Sequence, residues 1–154
     1  MPLADLVARD AVFPSLRASS KKQALQELAQ HAAALIGRDQ REIFETLLQR
    51  ERLGSTGVGN GIAIPHGKLP RLDKLFGAFA RLEKPIDFEA LDGEPVDLVF
   101  LLLAPEAAGA DHLKALARVA RMLRDPSIAD KLRGTRDAAA IHAVLTTSPA
   151  SDAA

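Results

Sequence analysis

No cysteine occurs in the 154 residues, which removes disulfides, thiolate metal ligands and thiol nucleophiles together and fits a reducing compartment. Charge of one sign is missing as well. The 20 basic and 20 acidic side chains cancel to a formal charge of zero, so no long-range field favours nucleic acid or an anionic membrane as partner. Any phosphate chemistry must then come from local geometry. Long apolar runs are also absent: the longest, Leu98 to Ala104, is too short to cross a bilayer, and the first residues lack the charged segment and apolar core of a signal peptide. These absences predict a cytoplasmic protein with no membrane insertion and no nucleic-acid partner. What is present, an apolar fraction of 47% in a chain of this length, suits one domain with a real core.

End signals and periodicity divide the chain. Ser20 with Gln23 is a capping-box pattern, and Leu25, Leu28, Ala32 and Leu35 make one apolar face that Gly37 closes, so a helix is predicted there. Asp39 with Glu42 repeats the pattern ahead of Ile43, Leu47 and Leu48, and this second helix stops before Gly54. Strands are predicted at Ile62 to Ile64, Leu75 to Leu82 and Val96 to Leu103. The last of these has almost no polar alternation and reads as a central strand covered on both faces. Beyond Pro105, Asp111 is placed to cap a helix carrying Leu113, Leu116, Val119, Ala120 and Leu123. Pro126 opens a short helix ending near Gly134, and Thr135 is placed to cap the last, through Ile141 and Val144. Helices at both ends of a strand-rich middle predict an α/β fold, a single three-layer α/β/α sandwich with a mixed central sheet flanked by helices. The final "TTSPASDAA" reads as a frayed tail, with 148–154 outside the domain at 1–147.

Between the second helix and the first of these strands lies "STGVGNG", with four glycines from Gly54 to Gly61, a stretch suited to unusual backbone angles or to bringing amides close to a ligand. It matches neither common phosphate motif. A dinucleotide fingerprint from Gly57 and Gly59 needs glycine where Ile62 stands, and a nucleotide P-loop from Gly61 needs glycine and lysine where His66 and Gly67 stand. No bound nucleotide or other cofactor is implied. Of the four histidines, His31 and His142 lie inside helices and read as ordinary packing or surface positions. His66 follows a proline, precedes a glycine and ends the glycine-rich segment just beyond a strand, where functional groups are commonly held. His112 follows the expected cap Asp111 and so stands in the first turn of a helix, where amides and dipole favour an anion; alone it reads as solvent-exposed. A metal hydrolase built on His66 and His112 is a poor alternative, since no paired-histidine spacing on one helix exists and a third ligand is lacking.

"LQRERLGSTGVGNGIAIPHGKL", residues 48 to 69, closely resembles the active-site stretch of the phosphotransferase-system enzyme IIA family of the mannitol and fructose type, most closely its nitrogen-related branch. The likeness continues through "PVDLVFLLLAP" and "DHLKALARVARML", and so covers nearly the whole chain. The resemblance implies that His66 is the phosphorylated nucleophile, that Arg50, sixteen residues earlier, binds the phosphoryl group, and that His112 completes the site. Ser55, Thr56 and Gly67 are weaker phosphate-binding candidates, because hydroxyls in such loops commonly only stabilise turns. Lys68 is either solvated or helps dock an acidic partner. The implied donor is a small histidine-phosphorylated carrier protein of the HPr type, and the nitrogen-related likeness implies regulatory target proteins. The alternative is a sugar-specific component that passes phosphate to a permease-linked IIB domain. No cofactor and no metal enter either reading.

Overall fold

The structure, a computed structural model, describes residues 3–146; the expected tail at 148–154 lies outside them. A 3-10 turn at Leu3–Asp5 leads into strand β1 (Val7–Leu16), followed by helices α1 (Lys21–Ile36) and α2 (Gln40–Arg52). Four strands follow: β2 (Gly57–Gly59), β3 (Ile62–Ala63), β4 (His66–Leu69) and β5 (Phe76–Ile86). The central strand β6 (Val96–Pro105) then precedes α3 (Ala110–Arg124), α4 (Pro126–Arg133) and α5 (Ala138–Thr146). The sheet runs β1-β5-β6-β3-β2, with β4 also paired to β6. β5 is antiparallel to β6, whereas β3 and β4 run parallel to it, so the sheet is mixed as the sequence predicts. Leu98 through Ala104 are all fully buried, which requires cover on both faces of β6 and makes the three-layer arrangement.

One feature of the sheet positions the site. β3 and β4 are a single line interrupted at Ile64 and Pro65: Ile62 pairs with Leu98 and His66 with Leu102, so the register survives the break. The Pro65 carbonyl still accepts from Leu102 N at 2.9 Å, and His66 therefore emerges at a defined height beside the central strand.

Several expectations need correction. Nothing in the sequence pattern announces β1, because Arg9, Asp10 and Pro14 break its alternation. Val7 pairs with Gly77 and Val12 with Phe79, so β1 bulges between them and its burial follows no period of two. The glycine-rich stretch is not all loop. Gly59 pairs with Ile62 across Asn60 and Gly61, whose φ values of 58° and 79° make a tight hairpin turn; Asn-Gly is the sequence signal for it. Ser20 accepts from Gln23 N as a cap should, but the Gln23 side chain accepts from Ser19 N at 2.7 Å. Asp39 accepts from Arg41 N, while Glu42 turns to Arg38 at 2.8 Å instead of closing a box. Asp111 is no cap either: α3 starts after Gly109, whose φ is 54°, and Asp111 sits within the first turn. Thr135 accepts from Asp137 N, and it is Asp137 that accepts from Ala139 N at the start of α5.

The altered start of α3 goes with a different buried stripe. His112, Ala115, Val119, Met122 and Leu123 face inward, and Leu113 is 68% exposed. The expectation of an exposed His112 is thereby overturned.

Candidate active site

An open depression is lined by Thr46, Gln49, Arg50 and Leu53 from α2, by His66, Gly67 and Lys68 from β4, and by His112 from α3. Three segments distant in sequence thus bring together the three principal candidates. The close approach of α2 to β4 depends on Gly67. A Cβ there would lie 2.5 Å from Thr46 Cγ2, so the requirement is for space and not for an unusual φ.

The state of the His66 ring follows from its two partners. Nδ1 lies 2.8 Å from the Ile64 carbonyl, which can only accept, so Nδ1 carries the hydrogen. Arg50 Nε donates to Nε2 at 3.2 Å, and a guanidinium can only donate, so Nε2 holds the lone pair. Both contacts select the same neutral tautomer. Burial lowers the pKa of His66 below the ordinary histidine value; the Ile64 carbonyl opposes this, the Arg50 charge adds to it, and the Glu51 charge opposes it. The ring is thereby held neutral near pH 7, with the Nε2 lone pair unprotonated.

His112 lies edge-on to His66, with ring centroids 5.6 Å apart and planes at 65°. Its pKa is lowered too, first by burial and then by the nearby His66 and Lys68. His112 is only 7% exposed, and its Nε2 is buried without a hydrogen-bond partner among the described residues. An unpaired buried ring nitrogen costs about 1–3 kcal/mol, and His112 also lines the depression. Arg50 is itself steered by Nη1 donating to the Gly54 carbonyl at 2.9 Å, which leaves further N–H groups of the fork for an anion.

The weaker candidates divide. Gly67 lines the depression, but Ser55 and Thr56 do not. Ser55 Oγ donates to the Phe88 carbonyl at 2.8 Å and accepts from Gly57 N, so it holds the turn. Thr56 is buried with its hydroxyl on Glu51. Sequence reasoning passed over Glu51, Thr46 and Gln49. For Glu51 a signal existed: it follows Ile43 and Leu47 at intervals of four, which puts a carboxylate on the buried face of α2. The other two histidines serve packing, as expected. His31 stacks on Phe13 with centroids 4.2 Å apart, and His142 Nε2 bonds the Val7 carbonyl at 2.8 Å. Among the described residues no group of three or more His, Asp or Glu side chains is placed to hold a metal ion, and no helix is long and apolar enough to cross a membrane.

This architecture is that of a known family. The family model described as the phosphoenolpyruvate-dependent sugar phosphotransferase system, EIIA 2, matches residues 5–148, and the chain belongs to that family. Within it the likeness runs to nitrogen regulatory proteins. The nitrogen regulatory protein of Bradyrhizobium diazoefficiens is 67% identical over 153 residues, covering 99% of this chain and 100% of its own length. The crystal structure of nitrogen regulatory protein IIA-Ntr from Neisseria meningitidis matches with a TM-score of 0.89 at 35% identity, over 94% of this chain and 99% of that one. IIA mannitol from Escherichia coli, 22% identical, shares the fold with a TM-score of 0.75 over 90% of this chain and 97% of its own.

Proposed function

We propose that this protein accepts a phosphoryl group on His66 Nε2 from a histidine-phosphorylated carrier protein in the cytoplasm, and that the charge so acquired decides which target proteins dock around the depression. The observation that carries the proposal is the two-sided fixing of His66, with Nδ1 held by a carbonyl and the Nε2 lone pair turned to a guanidinium beside a second histidine.

In the transfer, the Nε2 lone pair forms the new N–P bond as the bond from phosphorus to the donor imidazole breaks, and that ring keeps the electron pair. No proton has to move. Nδ1 retains its hydrogen, and the Ile64 carbonyl stabilises the positive charge the His66 ring gains. The transition state is loose and spreads negative charge over three equatorial oxygens, so the protein's task is alignment and donation. Arg50 must release the lone pair as phosphorus arrives, and its fork then serves the oxygens. His112 supplies a ring donor. A phosphoryl group adds roughly −1.5 to −2 charges at pH 7, enough to repel one acidic surface and attract a basic one. Leu53, 84% exposed at the edge of the depression, and Lys68 offer an apolar and a cationic contact to such partners.

Incubation with phosphoenolpyruvate and the general phosphotransfer proteins should place an acid-labile label on the protein, and His66→Ala should abolish it. Capture of targets by the labelled and unlabelled forms separates relay from switch: an identical partner set for both forms contradicts the regulatory half of the proposal. The similarity to nitrogen regulatory proteins favours regulation over delivery to a sugar permease.

A further inference from the structure

The carboxylate of Glu51 is buried one residue from Arg50 and lines no part of the depression. Its side chain is 3% exposed and is neutralised by Lys21 of α1, whose Nζ lies 2.9 Å from Oε1. Oε1 also accepts from Thr56 N at 3.1 Å, and Oε2 bonds the Thr56 hydroxyl. A buried ion pair is a weak source of net stability, because desolvating two charges costs about as much as their attraction returns. Its significance lies in what it holds in place.

One chain of contacts leaves the clamp and ends at His66, and a second runs beside it from the Glu51 main chain. On one side the Thr56 carbonyl accepts from Ile64 N at 3.0 Å, and the Ile64 carbonyl accepts from His66 Nδ1 at 2.8 Å. On the other, Gly54, two residues before Thr56, donates its N–H to the Glu51 carbonyl at 3.1 Å and accepts from Arg50 Nη1 at 2.9 Å. Both groups that define the His66 tautomer therefore hang on the short segment from Gly54 to Thr56. Gly54 has a φ of 151°, a strained value for other residues, and besides the clamp the segment is held by Arg50 at Gly54 and by the Ser55 hydroxyl, which donates to the Phe88 carbonyl at 2.8 Å.

We propose that Glu51 is a positioning residue for phosphoryl acceptance: its Lys21-paired carboxylate clamps Thr56, and thereby aims the Ile64 carbonyl at His66 Nδ1 and the Gly54 carbonyl at Arg50. The proposal rests on the assignment of His66 as acceptor, but its first readout does not. Long-range proton–nitrogen NMR of the histidine rings reports which nitrogen of His66 carries the hydrogen, with no phosphoryl donor present.

Glu51→Gln keeps the volume but removes the charge paired with Lys21 and forces the Thr56 hydroxyl to turn and accept from the new amide, so the hold on Thr56 loosens and His66 is expected to become a mixture of tautomers. Labelling is expected to slow about tenfold, a modest share of what misplacing a reacting group costs. Ile128→Ala, a core change in α4 remote from the site, serves as the stability control, with both variants assayed well below their melting temperatures. If Glu51→Gln fails to fold, Thr56→Val decides the matter: it is expected to mix the tautomers and slow labelling, whereas Thr56→Ser, which keeps the hydroxyl, restores both. A single Nδ1–H tautomer with unaltered labelling in the variant that folds overturns the proposal, as does equal slowing in Ile128→Ala. Should wild type take no label while Glu51→Gln still mixes the tautomers, the acceptor assignment fails, and what stands is that Glu51 aims the two carbonyls at His66 and Arg50.

Discussion

On opposite flanks of the sheet, two histidines each bond a main-chain carbonyl, through opposite ring nitrogens and to different ends. His142 of α5 bonds the Val7 carbonyl of the edge strand β1 at 2.8 Å, and His66 of β4 bonds the Ile64 carbonyl at 2.8 Å. At His142 the bond fastens a helix to a strand across 135 positions of sequence. At His66 the partner is two residues away, so the bond fastens nothing distant and instead fixes the ring. The remaining nitrogen at His66 meets Arg50 in an open depression with His112 beside it. The contact thus fastens two elements on one flank and orients a single ring on the other. What separates them is the second nitrogen's surroundings.

The sharpest way to break the comparison is to remove each ring in turn. His66→Ala is expected to lose all label and His142→Ala none, scored by acid-labile phosphate on the purified protein. Label surviving in His66→Ala contradicts the assignment outright. Arg50→Ala comes next, with labelling slowed about 100-fold, the scale set by deleting one donor to transition-state charge. His112→Ala is expected to slow labelling about tenfold while the circular dichroism spectrum stays near wild type; Nε2 has no hydrogen bond to lose, but the cavity left by a 7% exposed ring lowers the melting temperature.

A smaller effect concerns pH. Burial holds the His66 pKa below the ordinary histidine value, with the Arg50 charge adding to the depression. The ring therefore stays neutral, and labelling persists, as pH falls past about 6.5, until the lowered pKa is crossed. Arg50→Ala removes a cation and part of the cover, and both changes raise the pKa, so the acid limb of the labelling profile should move upward. NMR titration of the His66 ring checks the sign. The smallest effect belongs to the other flank: His142→Ala should cost about 1 kcal/mol of unfolding free energy in urea, the worth of an ordinary hydrogen bond, here partly buried, and leave transfer unchanged.

How much of this was legible in the sequence differs by flank as well. His66 could be found from "PHG" after a glycine-rich stretch, and the family likeness supplied Arg50 and His112. The burial of His112 was not legible, since it depends on the phase of α3, and the apparent cap Asp111 misplaces the start that Gly109 makes. On the other flank β1 was hidden by its bulge, which scatters Arg9, Asp10 and Pro14 over positions that a regular strand would alternate. The α/β/α sandwich was still predicted, because the continuous apolar run of β6 and the helices at either end determine the layers without it. The clamp at Glu51 sits between these cases. Its place on the apolar stripe of α2 could be read off, but its partners come from α1 and from the turn at Thr56, and only folding brings them together.

The atom assigned as nucleophile can be identified directly. Phosphorylated protein labelled with nitrogen-15 in its histidines should show phosphorus coupled to Nε2 of His66, with Nδ1 still carrying its hydrogen. Phosphorus on Nδ1, or on any other side chain, contradicts the account.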